Sequence, residues 1–184
     1  VLLVPRYSSV WPSETNIKVE LSNKIKLKVP FLSSAMDRVT EARMAIAMSK
    51  SGGLGIIHRN IGIKSQSTEV KKVKKLNLLV GAAIGTSDED LIRAKSLMDS
   101  GVDLLVIDTA HGHSEKVLKI LKKIKKKSNK ISICVGNIAS GEAAIKLYNE
   151  GADILKVGIG PGSICTTRMI VGIGVPQITA IMNV

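Results

Sequence analysis

A cysteine in a glycine-rich loop is the strongest candidate for chemistry in this sequence. Residues 156–168 read KVGIGPGSICTTR, so three glycines alternate with other residues ahead of Cys165. Backbone N–H groups of such a loop, with the Ser163 hydroxyl, could hold a phosphate, and its carbonyls could hold a cation. Neighbouring N–H groups and the Arg168 guanidinium would stabilise a Cys165 thiolate. Cys165 is therefore a candidate nucleophile, and a packed loop cysteine is the alternative.

The other cysteine and two nearby histidines point to chemistry less strongly. Cys134 lies inside the apolar run 131–137, which predicts a core position. His111 and His113 are two residues apart and could suggest a metal. Two histidines without an identified set of further carboxylate or histidine ligands are weak evidence for a metal, so hydrogen bonding within a loop is the favoured interpretation.

Short apolar runs recur along the chain and predict the strands that position this loop. They lie at residues 29–35, 54–58, 78–84, 103–108, 131–137 and 153–159. Most are continuous rather than alternating, which is typical of strands buried on both faces of a parallel sheet.

Helical patterns separate these runs. Three helices are predicted to begin at Ser114, at Ser140 and at the acidic segment 88–90, whose charges suit a helix N-terminus. Their predicted apolar faces are Val117, Ile120, Leu121 and Ile124; Ala144, Leu147 and Tyr148; and Leu91, Ala94 and Met98. Gly101 is predicted to end the helix that begins at 88–90, and Gly151 is predicted to end the helix that begins at Ser140. The polar, lysine-rich segment 64–77 is predicted to be a helix plus a connection.

A weak internal repeat indicates the architecture. Segments beginning at Ser51, Ser100 and Glu150 each combine a helix end, a glycine and a strand, at spacings of 49 and 50 residues. That period equals two βα units, which favours an α/β fold of the (β/α)8 TIM-barrel type over a doubly wound sheet. About six of the eight βα units are predicted within residues 1–184, as a single barrel domain that is incomplete at its C-terminal end.

Composition narrows the class of protein. The chain is 45% hydrophobic, has two cysteines and carries a formal net charge of +12. These values exclude a disordered chain and a disulfide scaffold, and the lack of a long uncharged apolar run excludes a membrane span. No signal-peptide pattern is visible, which predicts a cytoplasmic location. The first residue, Val1, and the apolar final segment suggest that the sequence is cut at both ends.

The basic charge has two interpretations. Eight lysines lie between residues 116 and 130 and four between 71 and 75. A nucleic-acid-binding surface is one interpretation, and the solvated outer faces of barrel helices are the other. The chain has only four aromatic residues for base stacking and uses lysine far more than arginine. Helix surfaces are therefore favoured, and a nucleic-acid partner is not expected.

The motifs taken together resemble the inosine-5′-monophosphate (IMP) dehydrogenase family along the whole chain. The loop 158–168 and the segment 172–177 resemble the family's active-site loop. Five further motifs resemble its first five strands and their loops, in order: residues 30–37, 53–60, 80–85, 108–114 and 135–137. The resemblance implies the barrel fold and NAD-dependent oxidation of IMP to XMP, the committed step of guanine nucleotide synthesis.

The resemblance also implies roles for individual residues. Cys165 would attack C2 of the base to form a covalent thioimidate, with Thr167 close to the reacting base. IMP would contact Ser34, Met36, Asn137, Gly162 and Ser163. NAD would face Asp108, Thr109, Ala110, Gly158 and Gly160. The backbone carbonyls of Gly160, Gly162 and Cys165 would hold a monovalent cation, normally potassium. Apart from the resemblance, Ser34 and Asp37 could cap a helix that begins near Thr40.

The sequence departs from the family pattern in three ways. The family's ribose-binding Asp, second phosphate loop and water-activating flap would follow Val184, so hydrolysis of the thioimidate is not expected from these residues alone. The paired CBS modules that many members carry are absent near residues 64–78. Arg38 stands where a Thr is usual. GMP reductase, which shares the fold and cysteine loop and uses NADPH to deaminate GMP to IMP, is the nearest alternative. A homotetramer is expected by analogy.

Overall fold

The computed structural model describes residues 2–184, which form a parallel sheet with helices along its outer face. A short 3-10 helix covers Pro12–Glu14. The strands are β1 (Val19–Ser22), β2 (Ile25–Leu27), β3 (Leu32–Ser33), β4 (Leu54–Ile57), β5 (Gly81–Ile84), β6 (Leu104–Asp108), β7 (Ser132–Ile138) and β8 (Ile154–Val157). The helices are α1 (Ala42–Lys50), α2 (Ile63–Lys74), α3 (Asp88–Asp99), α4 (Glu115–Lys127), α5 (Gly141–Asn149), α6 (Thr166–Val171) and α7 (Gln177–Asn183).

The order of the strands identifies the architecture. Strands β3 to β8 lie side by side in sequence order, and every neighbouring pair is parallel. A doubly wound sheet would reverse direction at a switch point, whereas a barrel adds each strand beside the previous one. Within residues 2–184, β3 pairs only with β4 and β8 only with β7. The chain is therefore a curled half-barrel of six strands, as the sequence predicted.

Alternating side chains on the central strands separate two apolar cores. On β6, Leu105 and Ile107 point to the helices, and Leu104 and Val106 point to the inside of the curl. Each of these four side chains is at most 4% exposed. Because both faces of the strand are buried, it reads in the sequence as a continuous apolar run.

A hairpin that the sequence did not reveal closes the inside of the half-barrel. Strands β1 and β2 pair antiparallel, and Ile25 and Leu27 pack against the inward side chains of the sheet. The Ser22 and Ser132 hydroxyls lie 2.9 Å apart, which joins the hairpin to β7. Lys24 Nζ donates to the carbonyls of residues 129 and 130. Two short, half-polar strands carry little periodicity, so the pattern did not predict them.

The repeated glycines end three helices. Gly52, Gly101 and Gly151 follow α1, α3 and α5 by two residues and have φ values of +91°, +84° and +97°. After α3, the amide of Val102 donates to the carbonyl of Leu97, and equivalent bonds follow α1 and α5. This is the helix-ending turn in which glycine adopts the left-handed conformation without steric cost. The repeat therefore encodes the turn from each helix into the next strand.

The helix starts follow the sequence with two corrections. Ser114 and Ser140 occupy the N-cap positions of α4 and α5, but only Ser140 makes a side-chain cap, to the amide of Ala143. Neither Ser34 nor Asp37 caps α1, which begins after Glu41 without a side-chain cap.

The predicted inward position of Tyr148 is also wrong, because its side chain is 72% exposed. The buried face of α5 consists of Ala143, Ala144 and Leu147. Tyr148 follows Leu147 directly, which rotates it about 100° toward solvent.

Much of the basic charge is paired on helix surfaces. Helix α4 buries Val117, Ile120, Leu121 and Ile124 and turns its lysines outward. Ion pairs with acidic residues involve Lys119, Lys122, Lys123 and Lys125 of α4 and Lys72 and Lys74 of α2. The longest helix has 13 residues, and none between residues 2 and 184 combines the length and apolar character that crossing a membrane requires.

Candidate active site

A cavity of about 440 Å³ lies where strands β6, β7 and β8 end. Ligand sites of small molecules commonly have this size, and barrel sites occupy this end of the strands. Eight of the sequence-predicted site residues line it: Asp108, Thr109, Ala110, Asn137, Gly158, Gly160, Cys165 and Thr167. The structure thus gathers residues from three successive loops around one space.

Cys165 lies at the start of α6 with hydrogen-bond donors around its sulfur. The backbone amide of Arg168 lowers the pKa of the Cys165 thiol most, and the hydroxyl and amide of Thr167 lower it further. The positive charge of Arg168 adds a smaller effect in the same direction. These donors favour the thiolate, which is the nucleophilic form of cysteine. Cys134 is the opposite case, since burial raises its pKa to about 12.

An ion pair inside the cavity links Asp108 to Lys156, a residue that the sequence did not single out. Lys156 Nζ lies 2.8 Å from Asp108 Oδ1. Asp108 is paired in register with Gly136, and Gly136 with Lys156, so the charged residues sit at one level on either side of β7. A Cβ at Gly136 would collide with Cβ of Lys156. The missing side chain therefore leaves room for the lysine to cross β7 and reach Asp108.

Backbone bonds between the loops after β6 and β7 hold Thr109 and Asn137 in the cavity wall. The Asn137 amide donates to Thr109 O at 2.9 Å. Both the amide and the hydroxyl of Thr109 donate to Gly136 O, at 3.0 and 2.8 Å. The Asn137 side chain donates in turn to Gly158 O at 2.7 Å. Asn137 thus connects the β7 loop to the beginning of the cysteine loop.

Gln177, also missed in the sequence, clamps the same loop from the other side. Its Nε2 donates to Val157 O at 3.0 Å, and its side chain lines the cavity. A Cβ at Gly158 would collide with Gln177 Oε1, and Gly158 has a φ of +132°. Glycine at this position therefore serves both the backbone conformation and the close approach of Gln177.

Arg59 is a second positive group in the cavity lining that the sequence did not single out. It follows His58 immediately after β4. Its charge contributes to lowering the pKa of the Asp90 carboxyl, so the guanidinium lies close to the start of α3. The cavity therefore has the Arg59 guanidinium, which acts on Asp90, at one side and the Lys156–Asp108 pair at another.

Four predicted site residues lie outside this cavity. Ser34 is on the wall of a separate, mostly apolar space of about 280 Å³ inside the half-barrel, which shares Lys156 with the candidate site. The side chain of Met36 is 58% exposed in the loop after β3. Gly162 and Ser163 are exposed at the outer part of the cysteine loop. None of these four lines the cavity, although Gly162 contacts the backbone of Cys165 directly.

The loop offers backbone oxygens for a cation. Gly160 has a φ of +60°, and a Cβ there would meet Ile173 O at 2.8 Å, so this backbone packs closely against residues 173 and 174. Gly162 O accepts from the Cys165 amide at 3.1 Å. A carbonyl oxygen has two lone pairs, so one remains for a cation. The donor set of neutral oxygens fits a hard cation such as potassium.

The fold and the cavity define the chain as part of a parallel βα barrel with a thiolate-stabilising loop at the ends of its strands. Residues 1–184 match the domain described as IMP dehydrogenase / GMP reductase, and the chain belongs to that family.

Curated relatives agree with this family. The chain is 44% identical to an inosine-5′-monophosphate dehydrogenase of Borreliella burgdorferi, over all of this chain and 58% of that protein. It is 44% identical to one of Cryptosporidium parvum, over 98% of this chain and 55% of that protein. It is 33% identical to one of Staphylococcus haemolyticus, over all of this chain and 64% of that protein. The chain thus spans a little over half the length of these relatives.

Proposed function

We propose that the chain forms the cysteine-bearing part of an IMP dehydrogenase, which oxidises IMP to XMP with NAD. The observation that carries this proposal is the Cys165 thiol at the cavity edge, with N–H and O–H donors that lower its pKa. The similarity to inosine-5′-monophosphate dehydrogenases supports the choice of substrate.

In the proposed reaction the Cys165 thiolate attacks C2 of the hypoxanthine ring, and a C–S bond forms. The hydrogen on C2 then leaves as hydride with its electron pair, which oxidises the substrate by two electrons and yields a thioimidate. Water adds to C2, the C–S bond breaks, and XMP and the free thiol result. A nucleophile of this kind divides one difficult step into two easier ones.

NAD, when bound, supplies the acceptor for the hydride. We assign Asp108, Thr109, Ala110, Gly158 and Gly160 to its binding, since all five line the cavity. The Lys156 ion pair holds the Asp108 carboxylate at the cavity wall.

IMP is proposed to lie against Asn137, with Thr167 close to the reacting base. Gly162 and Ser163 would bind its phosphate, and Ser34 and Met36 would complete the nucleotide site from the β3 loop. Because these four lie outside the cavity, we expect the outer cysteine loop to lie closer to the β3 loop when IMP is bound. Potassium is proposed to bind the carbonyls of Gly160, Gly162 and Cys165 and to hold that loop.

We also propose how the chain is organised as a domain. Helix α2 leads to β5 through six residues, so a CBS insert near 64–78 has no place in this chain, and residues 1–184 form one partial catalytic barrel domain. The alignment with the Staphylococcus haemolyticus relative spans 310 positions, so that relative has stretches without a counterpart here. A homotetramer in the cytoplasm remains our expectation.

Incubation of the chain with IMP, NAD and potassium tests the function. We expect NADH absorbance and an intact-mass increase of one IMP less two hydrogen atoms, both abolished in Cys165→Ser. Cys134→Ser is the matched control and should leave both signals. Absence of NADH and of adduct would overturn the proposal. Because the family description also names GMP reductase, NADPH consumption with GMP is measured in parallel, and its presence without the IMP reaction would favour that enzyme.

A further inference from the structure

A second group of polar side chains lies at the ends of β3 and β4, apart from Cys165. Nε2 of His58 lies 3.5 Å from Glu41 Oε1 and 3.8 Å from Asp37 Oδ1. One ligand atom from each residue can be chosen so that all three lie within 4.8 Å of one another. The His58 side chain is only 1% exposed, while the two carboxylates are more than half exposed.

The imidazole edge that faces these carboxylates has no hydrogen-bond partner. His58 Nε2 is one of two buried side-chain nitrogen or oxygen atoms in residues 2–184 that lack one. Within the same residues, no lysine or arginine forms an ion pair with Asp37 or Glu41. A buried polar nitrogen without a partner is costly, so its retention in front of two carboxylates calls for a ligand.

The backbone around the cluster is fixed before any ligand binds. Thr40, fully buried, donates its hydroxyl to Ser34 O at 2.6 Å and contacts the Ser33 hydroxyl at 3.0 Å. The Thr40 carbonyl accepts from the His58 amide at 3.3 Å. Asp37 lies three residues before Thr40 and Glu41 directly after it, so these bonds fix the backbone of this segment beside the imidazole.

We propose that Asp37, Glu41 and His58 bind one divalent transition-metal ion of the Zn²⁺ or Co²⁺ kind. One imidazole nitrogen and two carboxylate oxygens suit such ions, which tolerate mixed nitrogen and oxygen ligands. Tetrahedral bonds of this type place ligand atoms about 3.3 Å apart. The two distances from Nε2 are already close to that value, and rotation of the exposed carboxylates brings the third ligand atom in.

The hydrogen bonding of His58 adds a specific requirement. Its Nδ1 accepts from the Asn60 amide at 3.1 Å, so the proton of the neutral ring is on Nε2. Coordination through Nε2 moves this proton to Nδ1, which must then separate from the Asn60 amide. Asn60 is exposed, so its amide can turn to water. Metal binding at this site should therefore move the His58 proton from Nε2 to Nδ1, which an ion bound only to the two carboxylates would not do.

Titration with Co²⁺, followed by visible absorbance, tests the site in the Cys165→Ser background, because an accessible thiolate would also bind the ion. We expect one Co²⁺ per chain, displaced by Zn²⁺. Asp37→Asn and Glu41→Gln, both at exposed positions that preserve folding, should each weaken binding by about tenfold or more. His58→Gln should do the same, with its folding checked by circular dichroism.

The matched control is the double variant His111→Ala/His113→Ala, which removes the other histidine pair and should leave the Co²⁺ affinity unchanged. In ¹⁵N-labelled protein, Zn²⁺ should shift the His58 proton from Nε2 to Nδ1. Unchanged affinity in Asp37→Asn and Glu41→Gln, loss of binding in the double-histidine variant, or a proton that stays on Nε2 at saturating Zn²⁺ would each overturn the proposal. None of these readouts depends on IMP or NAD.

Discussion

The environment of Cys165 predicts a thiol that ionises, and therefore reacts, at a lower pH than an ordinary cysteine. The Arg168 amide and the Thr167 hydroxyl and amide stabilise the thiolate, which holds the pKa of the thiol under its ordinary value. The rate of alkylation by iodoacetamide should therefore reach half its maximum at a lower pH for Cys165 than for a cysteine in a short unstructured peptide. Thr167→Val should raise the midpoint, because it removes one of these donors.

The second thiol serves as an internal control for this measurement. Cys134 is 7% exposed and its pKa is raised to about 12 by burial, so it should stay unlabelled in folded protein across the same pH range. A midpoint in Thr167→Val equal to that of the parent chain would contradict the role given to the Thr167 hydroxyl.

The position of Gly158 predicts that the stability of the fold is sensitive to a side chain there. Replacement by alanine places a Cβ against Gln177 Oε1 at a φ of +132°, so Gly158→Ala should cost about 1–3 kcal/mol of unfolding free energy. Urea denaturation measures the change. Gly162→Ala is the matched control in the same loop, because its Cβ would make only an ordinary contact, at 3.7 Å from Cys165 Cβ. Equal losses in the two variants would refute the clamp by Gln177.

The sequence identified the reactive residues of the site better than it identified the residues that contact them. Cys165 stood out because its glycine-rich loop follows a predicted strand, and the resemblance to the IMP dehydrogenase family added Asp108 and Asn137. The structure lines one cavity with all three. Lys156 was missed because the sequence alone does not show which acidic residue lies next to a single lysine in a strand. Its pairing with Asp108 depends on the register of three strands and on the bare Gly136 between them. Gln177 was missed for the same reason, since its partner atom is the Val157 carbonyl.

At the scale of elements, the start of α3 predicts a pH-dependent stability. Asp90 is 7% exposed, and although burial raises the pKa of its carboxyl, hydrogen bonds from the Ser87 hydroxyl and the Gly85 and Ser87 amides lower it overall. A lowered carboxyl pKa stabilises the fold above the unfolded value of about 3.9. That contribution disappears as the pH falls through the folded value.

Asp90→Asn should therefore lose about 1–3 kcal/mol at pH 7, because the amide cannot accept all three bonds. Its stability should also vary less than that of the parent chain between about pH 5 and pH 2. Urea denaturation at a series of pH values measures both effects. Asp99→Asn, at an exposed position in the last turn of the same helix, is the control and should retain the parent profile. An equal loss of stability in both variants would refute the role given to the hydrogen bonds of Asp90.

For the whole molecule, the sequence predicted the order of the strands more reliably than their extent or their surroundings. Six apolar runs became six neighbouring parallel strands, because each repeat ends a helix at a glycine and turns into the next strand. The run 29–35 contributes only Leu32–Ser33 as strand, since β3 pairs with β4 alone among residues 2–184. The β1–β2 hairpin escaped prediction because its burial arises from contacts with strands far along the chain.

The hairpin is expected to stabilise the whole half-barrel, although it lies outside the repeating units. Ile25 is 1% exposed and packs in the same cluster as Leu54, Leu104 and Cys134. Ile25→Ala should cost about 2–5 kcal/mol, because the surrounding strands cannot fill the space. It should also expose Cys134 to thiol reagents in folded protein. Lys26→Ala, on the exposed side of β2, should change stability by less than about 0.5 kcal/mol. If Ile25→Ala leaves both the urea midpoint and the protection of Cys134 unchanged, the hairpin does not close the inner core.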